Sequence, residues 1–84
     1  IPLCHPISIS DCDVDIKLEN DGISISATVK TNDRTGVEME AFTAVSIAAL
    51  TIIDMIKAVD AHASIGKIQL EQKSGGKNGD WERK

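Results

Sequence analysis

Residues 35–60, TGVEMEAFTAVSIAALTIIDMIKAVD, constrain this chain more than any other stretch. Apolar residues recur through them at helical spacing, no Pro intervenes, and the one glycine, Gly36, stands at the start. The pattern predicts one long helix. At about 100° per residue, Ala41, Ala44, Val45, Ala48, Ala49, Ile52, Met55, Ile56 and Ala58 are assigned to one arc with only Glu38 at its edge, an arc suited to lie on a sheet. The opposite arc carries Glu40, Thr43, Ser46, Thr51, Asp54 and Lys57, but Met39, Phe42, Ile47, Leu50 and Ile53 are mixed among them. That is too apolar for a solvated face, so a second surface is expected to cover it, namely a subunit interface. Glu40 and Asp54 stand fourteen positions apart, about 21 Å along a rod rising about 1.5 Å per residue. Both ends of the helix can serve one small-ligand site only if the ends come from different subunits.

Around this helix the chain reads as strands. The two prolines of Ile1-Pro2-Leu3-Cys4-His5-Pro6 pin an extended loop. Residues 7–19 then alternate as a strand, with Ile7 and Ile9 on one phase and Val14, Ile16 and Leu18 on the other, which predicts a bulge near Asp11-Cys12. Asn20-Asp21-Gly22 is a turn signal, and Ile23, Ile25, Ala27 and Val29 continue the alternation, giving a hairpin. A polar loop over 31–36 leads into the helix. A last strand is expected over 65–73, followed by a Gly-rich polar tail over 74–84. Strand, strand, helix, strand is the order of an α+β domain, an antiparallel sheet covered on one face by helix. One further strand and helix in front would complete a ferredoxin-like fold.

Eighty-four residues allow one domain with a modest core. The chain opens at Ile1 inside a strand-loop region, which predicts part of a longer subunit. A net charge of −4 argues against a general nucleic-acid or membrane-surface binder. The average hides a gradient, for residues 1–56 hold three basic and nine acidic residues while 57–84 hold six basic and four acidic. An anion site toward the C-terminus fits that gradient. Cys4 and Cys12 have neither zinc-ribbon nor redox spacing, and two cysteines do not make a disulfide framework, which predicts a reducing, cytoplasmic setting. No uninterrupted apolar run reaches the roughly 18 residues of a membrane span.

Few residues are placed to carry chemistry. Asp54 and Lys57 lie three apart on one helical face: a plain surface ion pair, or, if an interface desolvates it, an acid and base for proton transfer. Cys4 and His5, with Asp11 and Cys12, are a weak metal set, because neighbours on an extended strand point to opposite sides. A hydrogen-bonding or structural His5 accounts for the motif better. Lys73 and Lys77 flank Ser74-Gly75-Gly76, which offers a phosphate group amide donors and positive charge, but the spacing is not that of a P-loop and, on its own, a flexible tail explains it better. Glu38 and Glu40 are sufficiently explained as first-turn acids complementing the helix dipole.

The strings Leu3-Cys4-His5-Pro6, Thr35-Gly36-Val37-Glu38-Met39-Glu40-Ala41, Ala48-Ala49-Leu50-Thr51, Asp54-Met55 with Lys57-Ala58-Val59, and Lys73-Ser74-Gly75-Gly76-Lys77, in that order, resemble molybdenum cofactor biosynthesis protein C, the cyclic pyranopterin monophosphate synthase family. The resemblance spans the chain and corresponds to the C-terminal half or so of the family. It implies a ferredoxin-like subunit in a homo-hexamer built as a trimer of dimers, with active sites at the dimer interface. It implies a lyase-type rearrangement of a cyclised dihydro-GTP into cyclic pyranopterin monophosphate with release of diphosphate. By motif, Asp54 and Lys57 correspond to a catalytic acid/base pair, and Leu3, Cys4 and His5 to a substrate-binding loop. Met39 and Glu40 correspond to a further substrate contact, and Lys73 to a triphosphate ligand. No metal or organic cofactor is called for. Ile56 stands where many relatives have Cys and Ile53 where many have an aromatic residue. The family's preceding half contributes a strand, a helix and a Lys-Gly-Asp segment with another active-site lysine.

Two other classes compete with an enzyme. A non-catalytic ferredoxin-like oligomerisation module would be indifferent to Asp54→Asn and Lys57→Ala, and a nucleotide-binding regulatory module would bind guanine nucleotides without converting them.

Overall fold

The computed structural model describes residues 9–32, 36–75 and 79–84. The expected loop at Leu3, Cys4 and His5, the strand start at Ile7 and the Gly76-Lys77 pair lie outside them. The order of elements is β1 (Asp11–Glu19), β2 (Gly22–Lys30), α1 (Glu38–Ile56), β3 (Gln72–Lys73) and β4 (Trp81–Glu82). This is an α+β layout of antiparallel strand pairs and one helix, consistent with a ferredoxin-like fold.

β1 and β2 form the hairpin that the Asn20-Asp21 turn calls for, with Glu19 opposite Gly22 and Asp11 opposite Lys30. Pairing is one-to-one throughout, so the expected bulge at Asp11-Cys12 is not there. Ile9 lies before the ladder, which Ser10 opens by donating its N–H to Lys30 O at 2.9 Å. The change of apolar phase falls at the strand's beginning and needs no extra residue. Opposed residues share a face, so Cys12, Val14, Ile16 and Leu18 lie with Val29, Ala27, Ile25 and Ile23. Asp11, Asp13, Asp15 and Lys17 lie on the other face with Lys30, Thr28, Ser26 and Ser24.

α1 packs chiefly on the β2 half of the apolar face. It is shorter than the predicted 35–60. Val37 caps it with φ −119°, and Lys57 ends it, its N–H donating to Ile53 O at 2.9 Å. Beyond that point the chain tightens: Asp60 Oδ1 accepts the His62 N–H at 3.0 Å, an Asx-type turn that competes with continued helix. The sheet-facing stripe is also rotated from the expected arc. Phe42 and Ile53, assigned to the outer side, are half-buried and line the groove with Ala41, Val45, Ala49, Ile52 and Ile56. Met55 is 74 % exposed, and Ala58 is exposed too. Met39, Ile47 and Leu50 lie outward as expected.

A two-stranded sheet cannot enclose a 19-residue helix, and among the described residues only Ala49 and Glu40 are buried. By length and composition alone α1 could cross a membrane; here β2 covers one of its sides. The predicted strand over 65–73 is reduced to Gln72–Lys73. A strand needs a ladder partner; residues 65–70 have none among the described residues, and Glu71 has only the single main-chain bond from Arg83. They border an open groove whose other walls are β2 and the inner side of α1. The tail, expected to be irregular, contains β4, which pairs with β3.

Candidate functional site

Two polar clusters mark the two ends of α1. The first turn holds Glu38, Met39 and Glu40, and Val37 supplies no side-chain cap to the free N–H groups there. Glu40 is 4 % exposed. A carboxylate that buried is costly unless its charge is compensated, and the positive end of the helix dipole contributes to that. The dipole explanation drawn from sequence therefore holds for the sign of the charge but leaves its burial unexplained.

Lys73 comes to the same end of the helix. Its Nζ lies 3.3 Å from Glu38 Oε2, with the two side chains 17 % and 34 % exposed. β3 thus delivers a cation to the turn that presents Met39 and Glu40. The family resemblance gives Lys73 a ligand role but no protein partner; the structure supplies Glu38 as that partner. The available signal was topological, because a strand that runs beside a helix N-terminus brings its end to the first-turn acids.

The second cluster is Asp54 with Lys57, joined at 2.6 Å between Oδ1 and Nζ. Here both side chains are largely exposed, 73 % for Asp54 and 66 % for Lys57. As a surface pair it contributes under about 1 kcal/mol, so stability is a weak reason for its presence. Glu40 and Asp54 are on one helix, about 21 Å apart at its ideal rise. One chain does not bring the clusters together.

Among the described residues no group of three or more His, Cys, Asp or Glu could hold a metal ion. Cys12 is an exposed free thiol; Leu3, Cys4 and His5, the remaining predicted site residues, lie outside the described part.

Carboxylates and lysines are thus divided between the two ends of one helix in an α+β chain, and comparison with known proteins gives its family. The MoaC family model matches residues 1–76. The chain is 60 % identical over 83 residues to a cyclic pyranopterin monophosphate synthase of Streptomyces coelicolor, covering 99 % of this chain and 49 % of the relative. It is 58 % identical over 83 residues to that of Peptoclostridium acidaminophilum, covering 99 % and 53 %. It is 55 % identical over 84 residues to cyclic pyranopterin monophosphate synthase 2 of Mycobacterium bovis, covering 100 % and 50 %. The chain belongs to the MoaC family. It spans about half the length of the curated relatives it matches.

Proposed function

We propose that this chain is the C-terminal portion of a cyclic pyranopterin monophosphate synthase subunit acting in molybdenum cofactor biosynthesis. The reaction converts a cyclised dihydro-GTP, in which a ribose carbon is already joined to guanine, into cyclic pyranopterin monophosphate with release of diphosphate. The observation that carries the reading is the meeting of Lys73 with the Glu38–Glu40 turn at one end of α1 while Asp54 and Lys57 occupy the other. The family relationship supports it.

Opening a purine ring and closing a pterin need several proton transfers, which suit an acid and an amine held 2.6 Å apart. Expelling diphosphate needs cations at the developing negative charge, which suits Lys73. Met39, Glu40, Leu3, Cys4 and His5 fall to substrate binding. Because the two clusters lie about 21 Å apart on one rod, the site is composite, made from the N-terminal end of one subunit's helix and the C-terminal end of another's. A homo-hexamer arranged as a trimer of dimers provides that arrangement, covers the outward Met39, Ile47 and Leu50, and desolvates the Asp54–Lys57 pair. A single strand laid in the groove between β2 and residues 65–73 would complete one sheet, with a second helix over Val14, Ile16 and Leu18. The setting is cytoplasmic, and neither nucleic acid nor membrane is a partner.

The test is conversion of the cyclised dihydro-GTP by the full-length protein, followed by chromatography of the oxidised pterin. Product that disappears with Asp54→Asn supports the enzyme. Guanine-nucleotide binding without product supports the regulatory module instead.

A further inference from the structure

The end of the chain holds Lys73 from behind. β3 is two residues long, and its only ladder among the described residues is with β4, Gln72 opposite Glu82 and Lys73 opposite Trp81. Residues 63–71, which lead into it, have no regular structure. Further contacts come from the same terminal segment. The Asp80 carboxylate accepts the Gly75 N–H at 2.8 Å. Arg83 donates its main-chain N–H to Glu71 O at 2.6 Å and its Nε to Leu70 O at 2.7 Å. The Arg83 guanidinium also lies 5.3 Å from the Trp81 ring centre, within cation–π range.

The Asp80 carboxylate and the Arg83 guanidinium are spent on backbone, and the Arg83 main chain adds a third bond. Each bond fixes a peptide unit within three residues of Lys73, two on its N-terminal side and one on its C-terminal side. A lysine stem has several rotors, so where its ammonium dwells depends on where its own backbone is held. The Lys73 side chain is only 17 % exposed and reaches Glu38.

We propose that Asp80 and Arg83 are positioning residues that clasp the chain on both sides of Lys73, holding its ammonium at the first turn of α1, where an anion of the polyphosphate class exchanges for Glu38. The inference rests on the reading of Lys73 as a phosphate ligand. A solvated tail would carry no such role.

Binding of inorganic tripolyphosphate to the full-length protein, measured by titration calorimetry, tests it. A hydrogen bond from a charged group is worth about tenfold or more in an equilibrium constant, so Asp80→Ala and Arg83→Gln, each releasing the backbone beside Lys73, are expected to weaken binding up to about tenfold. The shared sign is informative. A purely electrostatic effect of the tail makes the two changes opposite, since one removes a negative and the other a positive charge. Asp80→Asn keeps an oxygen acceptor for Gly75 and is expected to bind within about twofold of wild type. With Lys73→Ala in place, Asp80→Ala and Arg83→Gln cause no further loss, because the clasp then has nothing to position. Losses of unchanged size in that background overturn the proposal, as do single variants that bind like wild type while Lys73→Ala does not. Wild-type affinity in Lys73→Ala itself removes the phosphate-ligand reading and the clasp with it. That result is distinguishable from failure of the clasp alone.

Discussion

The Lys73 ammonium and the Glu38 carboxylate stand 3.3 Å apart, joining the two-residue strand β3 to the first turn of α1. The contact puts a half-buried cation at the turn that holds Met39 and Glu40 and pairs it with a carboxylate, a charge that the proposed phosphate ligand has to displace. Glu38→Gln removes the competitor and is expected to tighten tripolyphosphate binding about threefold at low ionic strength, a gain that shrinks as salt screens the site. Calorimetry at two salt concentrations checks this.

Asp54 and Lys57 separate stability from chemistry. Their bond is exposed, so Asp54→Asn and Lys57→Ala are expected to change unfolding free energy by less than about 1 kcal/mol. Turnover is expected to fall at least about a hundredfold, the scale of a lost general acid or base. Thermal unfolding and product chromatography on the same preparations provide both readings.

Gly75 has φ +73°, with open space where a Cβ would go. The cost of Gly75→Ala is therefore conformational and not steric, about 1 kcal/mol for a left-handed alanine. Amide exchange at Lys73 and Trp81 is expected to quicken roughly fivefold, the factor that such an energy gives, with α1 protection unchanged.

Leu50 is 59 % exposed on the outer side of α1, near Ile47. In a lone chain Leu50→Glu is a surface change worth under about 0.5 kcal/mol. At a subunit interface it buries a charge, so sedimentation is expected to show a smaller species.

What the sequence disclosed followed from periodicity. Alternation and the Asn20-Asp21 turn located the β1–β2 hairpin, and helical spacing located α1. The errors came where long-range partners decide the outcome. Ile65, Ile68 and Leu70 look like a strand, but a ladder needs a neighbour, and residues 65–70 have none among those described. Periodicity puts Phe42 and Ile53 outward because their arc also holds Asp54 and Lys57; packing on β2 rotates the stripe toward them. The Asx-type bond of Asp60 is a local competitor of the helix that apolar spacing does not register. At the site, Lys73 and Glu40 were legible as residue types in motifs. Their shared location was not, nor was β4, because only the folded chain brings Trp81 opposite Lys73.

The composite site is tested most directly by mixing full-length subunits carrying Asp54→Asn with subunits carrying Glu40→Gln, each inactive alone, and measuring formation of cyclic pyranopterin monophosphate. In a two-fold dimer of unlike subunits one of the two sites draws both its residues from unaltered helix ends, so random mixing is expected to restore about a quarter of wild-type activity. Mixed oligomers that form and stay inactive would contradict a site shared between subunits.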